Sequence, residues 1–159
     1  MLKWLRGAVL VQGLVFGLAG PAAADQGYPD DGMQVIATPH NFGELWKRLE
    51  DAIAANKMGL VSQASASVGA SRRGVLIPGN AVIGVYRNDF AVRMLEASVP
   101  AGIEAPLRFY LTANADDTAT LAYRLPSATF APYGSDKLDA MAKELDVIFA
   151  AIAADATKP

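Results

Sequence analysis

The chain has 159 residues, 52 % of them apolar and none of them cysteine, with a formal net charge of −2. That length suits one domain. The lack of cysteine excludes disulfides, thiol catalysis, zinc–thiolate sites, iron–sulfur clusters and a lipidated N-terminal cysteine. The slightly acidic balance argues against nucleic acid, whose binding rests mainly on neutralising phosphates.

Residues 1–24 read as a secretory signal peptide. Lys3 and Arg6 make the start basic, Gly7 to Gly20 is apolar apart from Gln12, and Pro21 breaks the run before Ala22-Ala23-Ala24. Small residues at these positions predict cleavage after Ala24. The apolar stretch is short against the roughly 20 residues that a membrane span needs. Cleavage leaves 12 basic and 16 acidic residues. The expected product is a periplasmic or secreted domain without a membrane span, since no later stretch is apolar long enough to form one.

Residues 25–32 (DQGYPDDG) form a flexible lead-in, and 33–156 form the domain. Met33 to Thr38 is a short apolar run and a first strand. His40 to Lys57 is a helix, with Asn41 as its cap and Glu44 three residues on. Phe42, Leu45, Leu49, Ala52 and Ile53 recur at helical spacing on one face, widened by Trp46, and Gly59 follows the end. Leu60 to Val68 alternates weakly and reads as a strand. Ser71 to Gly74 is a turn holding Arg72 and Arg73, and Val75 to Ile77 is a short apolar piece before the turn at Pro78-Gly79-Asn80. Ala81 to Tyr86 is a buried strand. Asp89 to Ala97 is a short helix with Phe90, Met94 and Leu95 inward.

A hairpin follows. Leu107, Phe109 and Leu111 alternate with Arg108, Tyr110 and Thr112, and Leu121, Tyr123 and Leu125 alternate with Thr120, Ala122 and Arg124. Turn formers fill Asn114 to Thr118. Ser135 caps the last helix, with Asp136 and Asp139 in its first turn and an apolar stripe from Leu138 to Ile152. The pattern predicts an α+β fold: an antiparallel sheet of about five strands, two main helices on one face and a short extra helix.

Residues about 41 to 154 resemble the bacterial family known as domain of unknown function 302, DUF302. The likeness lies in an ordered set of features: the helix Phe42 to Asn56 running into Met58-Gly59-Leu60-Val61, the strand Val82-Ile83-Gly84-Val85-Tyr86-Arg87-Asn88, the Pro-led strand Ala105-Pro106-Leu107-Arg108-Phe109-Tyr110-Leu111, and a closing helix with Leu145-Asp146-Val147-Ile148. The family often has Asn-Pro where this chain has Asn88-Asp89. The resemblance implies a β-α-β4-α fold, like that of the TATA-binding protein in layout only. It implies no reaction, because fold does not supply function.

Hairpin pairing centred on Asp116 puts Leu107 opposite Leu125, Phe109 opposite Tyr123 and Leu111 opposite Leu121. Arg108 then faces Arg124 on the other side of the sheet. Like charges at opposed positions are unfavourable, so a carboxylate, a partner or an anion should offset them. Tyr110 and Thr120 share that face, and Arg72 and Arg73 could add to it. This predicts an anionic-ligand site on an open sheet face, with two ordinary alternatives: side chains splaying into water, or pairing with local acids.

His40, the only histidine, is the one candidate for metal or acid–base work. A copper site would need it to meet Met33, Met58, Met94 or Met141, since thioethers suit Cu(I), yet Met94 and Met141 fall on apolar helical faces where packing is the default. Asp30-Asp31 and Asp116-Asp117 sit in turns, where aspartates ordinarily make the turn. No nucleophile elbow, phosphate loop or metalloprotease motif is present. The leading expectation is therefore a non-enzymatic binding or interaction module without a cofactor, taking a small anionic ligand and self-associating as a homodimer through the sheet. The alternatives are a small enzyme acting on an anionic molecule and a copper-handling protein.

Overall fold

A computed structural model describes residues 27–29 and 31–159, so the signal peptide expected at 1–24 lies outside the described residues. The strands are β1 (Met33–Thr38), β2 (Gly59–Ala64), β3 (Asn80–Tyr86), β4 (Leu107–Ala113) and β5 (Ala119–Arg124). The helices are α1 (Phe42–Ala55), α2 (Ala66–Ser71), α3 (Asn88–Ala97), α4 (Pro126–Phe130) and α5 (Asp136–Thr157). Short 3-10 turns at Val99–Glu104 and Ala131–Tyr133 complete the chain. The strands form one five-stranded sheet in the order β1-β5-β4-β3-β2, antiparallel throughout.

The α1 helix starts where the sequence signals it. Asn41 Oδ1 accepts from the Glu44 backbone N–H at 3.0 Å. The Glu44 carboxylate does not complete a capping box but turns to His40 Nδ1, 3.0 Å away. Leu45, Leu49, Ala52 and Ile53 form its buried stripe. At the far end the left-handed residue is Lys57, at φ 58°, and Gly59 is already in β2. The α5 helix begins at Ser135, whose Oγ accepts from Leu138 N–H at 3.4 Å.

Helices α1 and α5 cover one face of the sheet. Their apolar stripes meet Ile83, Val85, Phe109, Leu111 and Leu121, all buried. At the centre the ring of Phe109 stacks on Phe149 with centroids 4.7 Å apart, and Tyr123 tilts against both. Burying whole aromatic side chains supplies a large share of such a core. A second cluster joins α3, α4 and the first half of α5 through Phe90, Met94, Phe130, Leu138 and Met141, and Leu107 and Ile148 pack against both clusters.

Two local expectations are corrected. The strand expected over Leu60 to Val68 stops at Ala64, because the Ser65 hydroxyl accepts from Val68 N–H at 3.1 Å and caps α2 instead. Leu95, expected inward, is 46 % exposed, since α3 buries only the Phe90–Met94 side. Val75 to Ile77 lies in an irregular exposed segment, with Leu76 at 90 %. The turn and short helix between β5 and α5 were not anticipated.

The face opposite α1 and α5 stays open. Alternation and register bring Val35 and Ala37 from β1, Thr120, Ala122 and Arg124 from β5, Arg108, Tyr110 and Thr112 from β4, and Val82 and Gly84 from β3 onto it. Among the described residues, no helix is long and apolar enough to cross a membrane.

Candidate functional site on the open sheet face

The hairpin register is Phe109↔Tyr123, Tyr110↔Ala122, Leu111↔Leu121 and Thr112↔Thr120, the pairing that the apolar pattern predicts. Arg108 and Arg124 stand one step beyond its last pair and line the same groove. The groove encloses about 510 Å³, within the usual size range of small-molecule sites. Its floor is Val82, Tyr110 and Ala122, and its walls come from Glu104, Tyr28 and the Ala128–Pro132 stretch.

The two arginines have different surroundings. Arg124 is held by Asp31, with Nη1 donating to Oδ2 at 2.9 Å and Nη2 to Oδ1 at 3.0 Å. That forked geometry is the favourable one for a guanidinium and a carboxylate. Arg108 has no ion-pair partner among the described residues and stays exposed. Opposite it in β3 is Gly84, where an added Cβ would come within 2.1 Å of Ser62 Oγ and 3.1 Å of Pro106 Cγ. No side chain from that position can crowd Arg108.

Tyr28, Asp31 and Gly32 of the lead-in lie against this face. Gly32 is pinned by its carbonyl, which accepts from Leu125 N–H at 2.8 Å. It adopts φ +74°, and an added Cβ would approach Ala128 Cβ to 2.3 Å, so only glycine fits. Met33 pairs with Arg124, so Asp31 falls on the same side of the chain as the guanidinium. Further along, burial chiefly raises the Tyr28 phenol above its ordinary pKa, partly offset by the neighbouring Thr112 hydroxyl. That hydroxyl is buried and has no partner within hydrogen-bond geometry among the described residues, so its interaction with Tyr28 is looser than a hydrogen bond.

The other predicted residues are placed as follows. Tyr110 lies in the groove. Thr120 is buried at the turn end of the hairpin, its hydroxyl donating to Asn114 Oδ1 at 3.1 Å, and does not line the groove. Arg72 and Arg73 follow α2 and are exposed, away from the groove lining. His40 is buried, with Nε2 donating to the Lys158 carbonyl at 2.9 Å and Nδ1 beside Glu44. A ring nitrogen that donates to a carbonyl has no lone pair left for a metal. Met58, Met94 and Met141 line a small apolar cavity of about 30 Å³ that His40 does not reach, while Met33 lies at the groove on the opposite face. Among the described residues, no three acidic or histidine side chains are grouped to hold a metal ion. Asp116 makes its turn, accepting from the Thr118 N–H and hydroxyl.

Sequence reasoning missed Asp31, Tyr28 and Glu104. Asp31 reads as a turn residue, and only the pairing of β1 with β5 reveals that it meets Arg124. Glu104 accepts a hydrogen bond from the Tyr133 hydroxyl at 2.8 Å, which raises the pKa of that phenol.

The sequence model of the family described as domain of unknown function DUF302 matches residues 34–155. Among solved structures, the crystal structure of an uncharacterized conserved DUF302 protein from Bacillus stearothermophilus superimposes with a TM-score of 0.71 at 16 % identity, over 80 % of this chain and 98 % of that one. At that identity the likeness is one of fold. No curated protein matches the chain.

Proposed function

The chain belongs to the DUF302 family, and from that premise we propose that it is a non-enzymatic binding module that takes a small anionic ligand on the open face of its sheet. The observation that carries the reading is the difference between the two groove arginines. Arg124 is neutralised by Asp31, whereas Arg108 lines the same groove without an ion-pair partner among the described residues. A guanidinium on a concave surface with phenols and apolar floor residues is suited to an anionic group on a compact molecule. The pattern of residues 1–24 supports action after export, in a periplasm or outside the cell. The exposed, uncharged edge strand β2 supports self-association through the sheet as a homodimer.

One observation favours a second reading, an enzyme acting on an anionic molecule. Glu104 lines the groove and is the carboxylate there not committed to an arginine. It would have to serve as acid or base beside Arg108.

The test is thermal denaturation across a panel of anions, for the protein and for Arg108→Ala/Arg124→Ala. An anion that binds only the folded state raises the melting temperature. The expected result is a shift of several degrees in the protein and none in the double variant. Equal shifts in both, or none in either, would overturn the reading. Turnover of a bound anion that Glu104→Gln abolishes would decide for the enzyme.

A further inference from the structure

We propose that Asp31 is a built-in occupant of Arg124, and that the ligand of this face is a small carboxylate with a flat apolar body, which engages Arg108 and displaces Asp31 from Arg124. The inference rests on reading the face as an anion site, and it adds the ligand class and the regulation. Asp31 presents a planar pair of oxygens to both Nη atoms at 2.9 and 3.0 Å, so the Arg124 fork already holds a carboxylate in its preferred geometry. The occupant is tethered. Gly32, fixed by the Leu125 hydrogen bond and by the tight approach of Ala128, anchors the strap one residue from Asp31. The strap can therefore lift at Asp31 while β1 stays paired. The pair itself is exposed, Arg124 at 38 % and Asp31 at 66 % by side chain, and exposed ion pairs exchange with water and other ions at little cost.

The floor decides the rest of the ligand. Val82 offers apolar surface next to Tyr110, its partner across the strands, and Tyr28 lines the same groove. A flat ring sits well against such side chains. Glu104 on the wall disfavours a second negative charge near it. One carboxylate on an apolar body fits these features better than a phosphate.

The test titrates benzoate, with inorganic phosphate as comparison, into the protein and into Asp31→Asn, Arg108→Ala and Asp117→Asn. Asp117→Asn makes the same charge change at the hairpin turn and controls for net charge. The expected result is benzoate binding that is about two- to fivefold tighter in Asp31→Asn, the range an exposed ion pair accounts for, unchanged in Asp117→Asn, and lost in Arg108→Ala. Asp31→Ala, with its fold checked by circular dichroism, should repeat the gain. Equal benzoate affinity in the protein and both Asp31 variants, with binding still lost in Arg108→Ala, overturns the displacement and leaves the anion site standing. Phosphate binding more tightly than benzoate overturns the carboxylate assignment. Binding of neither probe to any variant overturns both this inference and the anion site.

Discussion

Arg124 near the end of β5 grips Asp31 of the lead-in through both of its terminal nitrogens, at 2.9 and 3.0 Å. Ninety-three positions separate the two residues. The pair ties Asp31 to the sheet beside a groove whose other arginine has no ion-pair partner among the described residues. A double-mutant cycle between Asp31→Asn and Arg124→Gln should give a coupling of about 0.2–1 kcal/mol in low salt, as for other exposed pairs. It should fade at roughly 1 M salt, where the screening length is about 3 Å. Urea denaturation of the four proteins at both salt concentrations measures it.

Gly32→Ala should loosen the same strap. The left-handed backbone at φ +74° and the 2.3 Å approach to Ala128 both oppose a side chain. The backbone term alone costs about 1–2 kcal/mol. Faster amide exchange at Leu125, which donates to the Gly32 carbonyl, would show that the cost is local. Unchanged stability would mean that the strap reseats freely.

Phe149→Ala should be among the most damaging single changes. Phe149 is fully buried, stacks on Phe109 and touches Tyr123. Removing it costs the transfer term and leaves a cavity between α5 and the sheet, together about 3–5 kcal/mol. The midpoint of chemical denaturation reads this directly.

Lys57→Gly should stabilise the protein. Lys57 holds φ 58° just after the Asn56 cap of α1, a position where glycine avoids a left-handed penalty of about 1–2 kcal/mol. The greater freedom of glycine in the unfolded chain offsets part of that gain, so a net rise of about 0.5–1 kcal/mol is expected. A fall in melting temperature would show that the lysine side chain contributes more than its backbone costs.

Acid should weaken the fold through its exposed ion pairs. Hydrogen bonds from Arg93 hold the Glu144 carboxyl below the usual range, and those from Arg87 do the same for Asp89. A carboxyl whose folded pKa is depressed contributes stability above its unfolded value, about pH 4. That contribution disappears as pH falls through the lower folded value. Arg93→Gln should flatten stability against pH below about pH 4–5 and leave it unchanged at neutral pH to within the small worth of a surface pair. At the alkaline end the sign reverses. Burial raises the Tyr123 phenol, so its contribution is full below its unfolded value and declines as pH rises through about 10 and beyond. Ultraviolet titration should find at least one tyrosine ionising late.

Much of this architecture was legible in the chain. Asn41 and Ser135 announce two helix starts, because a short polar side chain there satisfies an otherwise unpaired N–H. The hairpin register follows from leucines and aromatics that must share one face, which excludes one-residue slips, and from the turn formers at 114–118, which centre the pairing of β4 on β5. The end of β2 was less legible. Ala66 favours helix and Val68 favours strand, so the local preferences conflict, and one Ser65 hydrogen bond decides for helix.

The sequence by itself determined the sheet, its covering helices and the placing of Arg108, Tyr110 and Arg124 on one face, since these depend on local periodicity and capping. Only the tertiary structure decided that Asp31 occupies Arg124 while Arg108 has no ion-pair partner among the described residues, that Thr120 and the Arg72–Arg73 turn lie outside the groove, and that His40 is spent on Lys158 and Glu44. These outcomes depend on which strand lies at the edge beside β5 and where the chain ends pass. Contacts between residues far apart in sequence are set by strand order, which alternation within one strand does not encode.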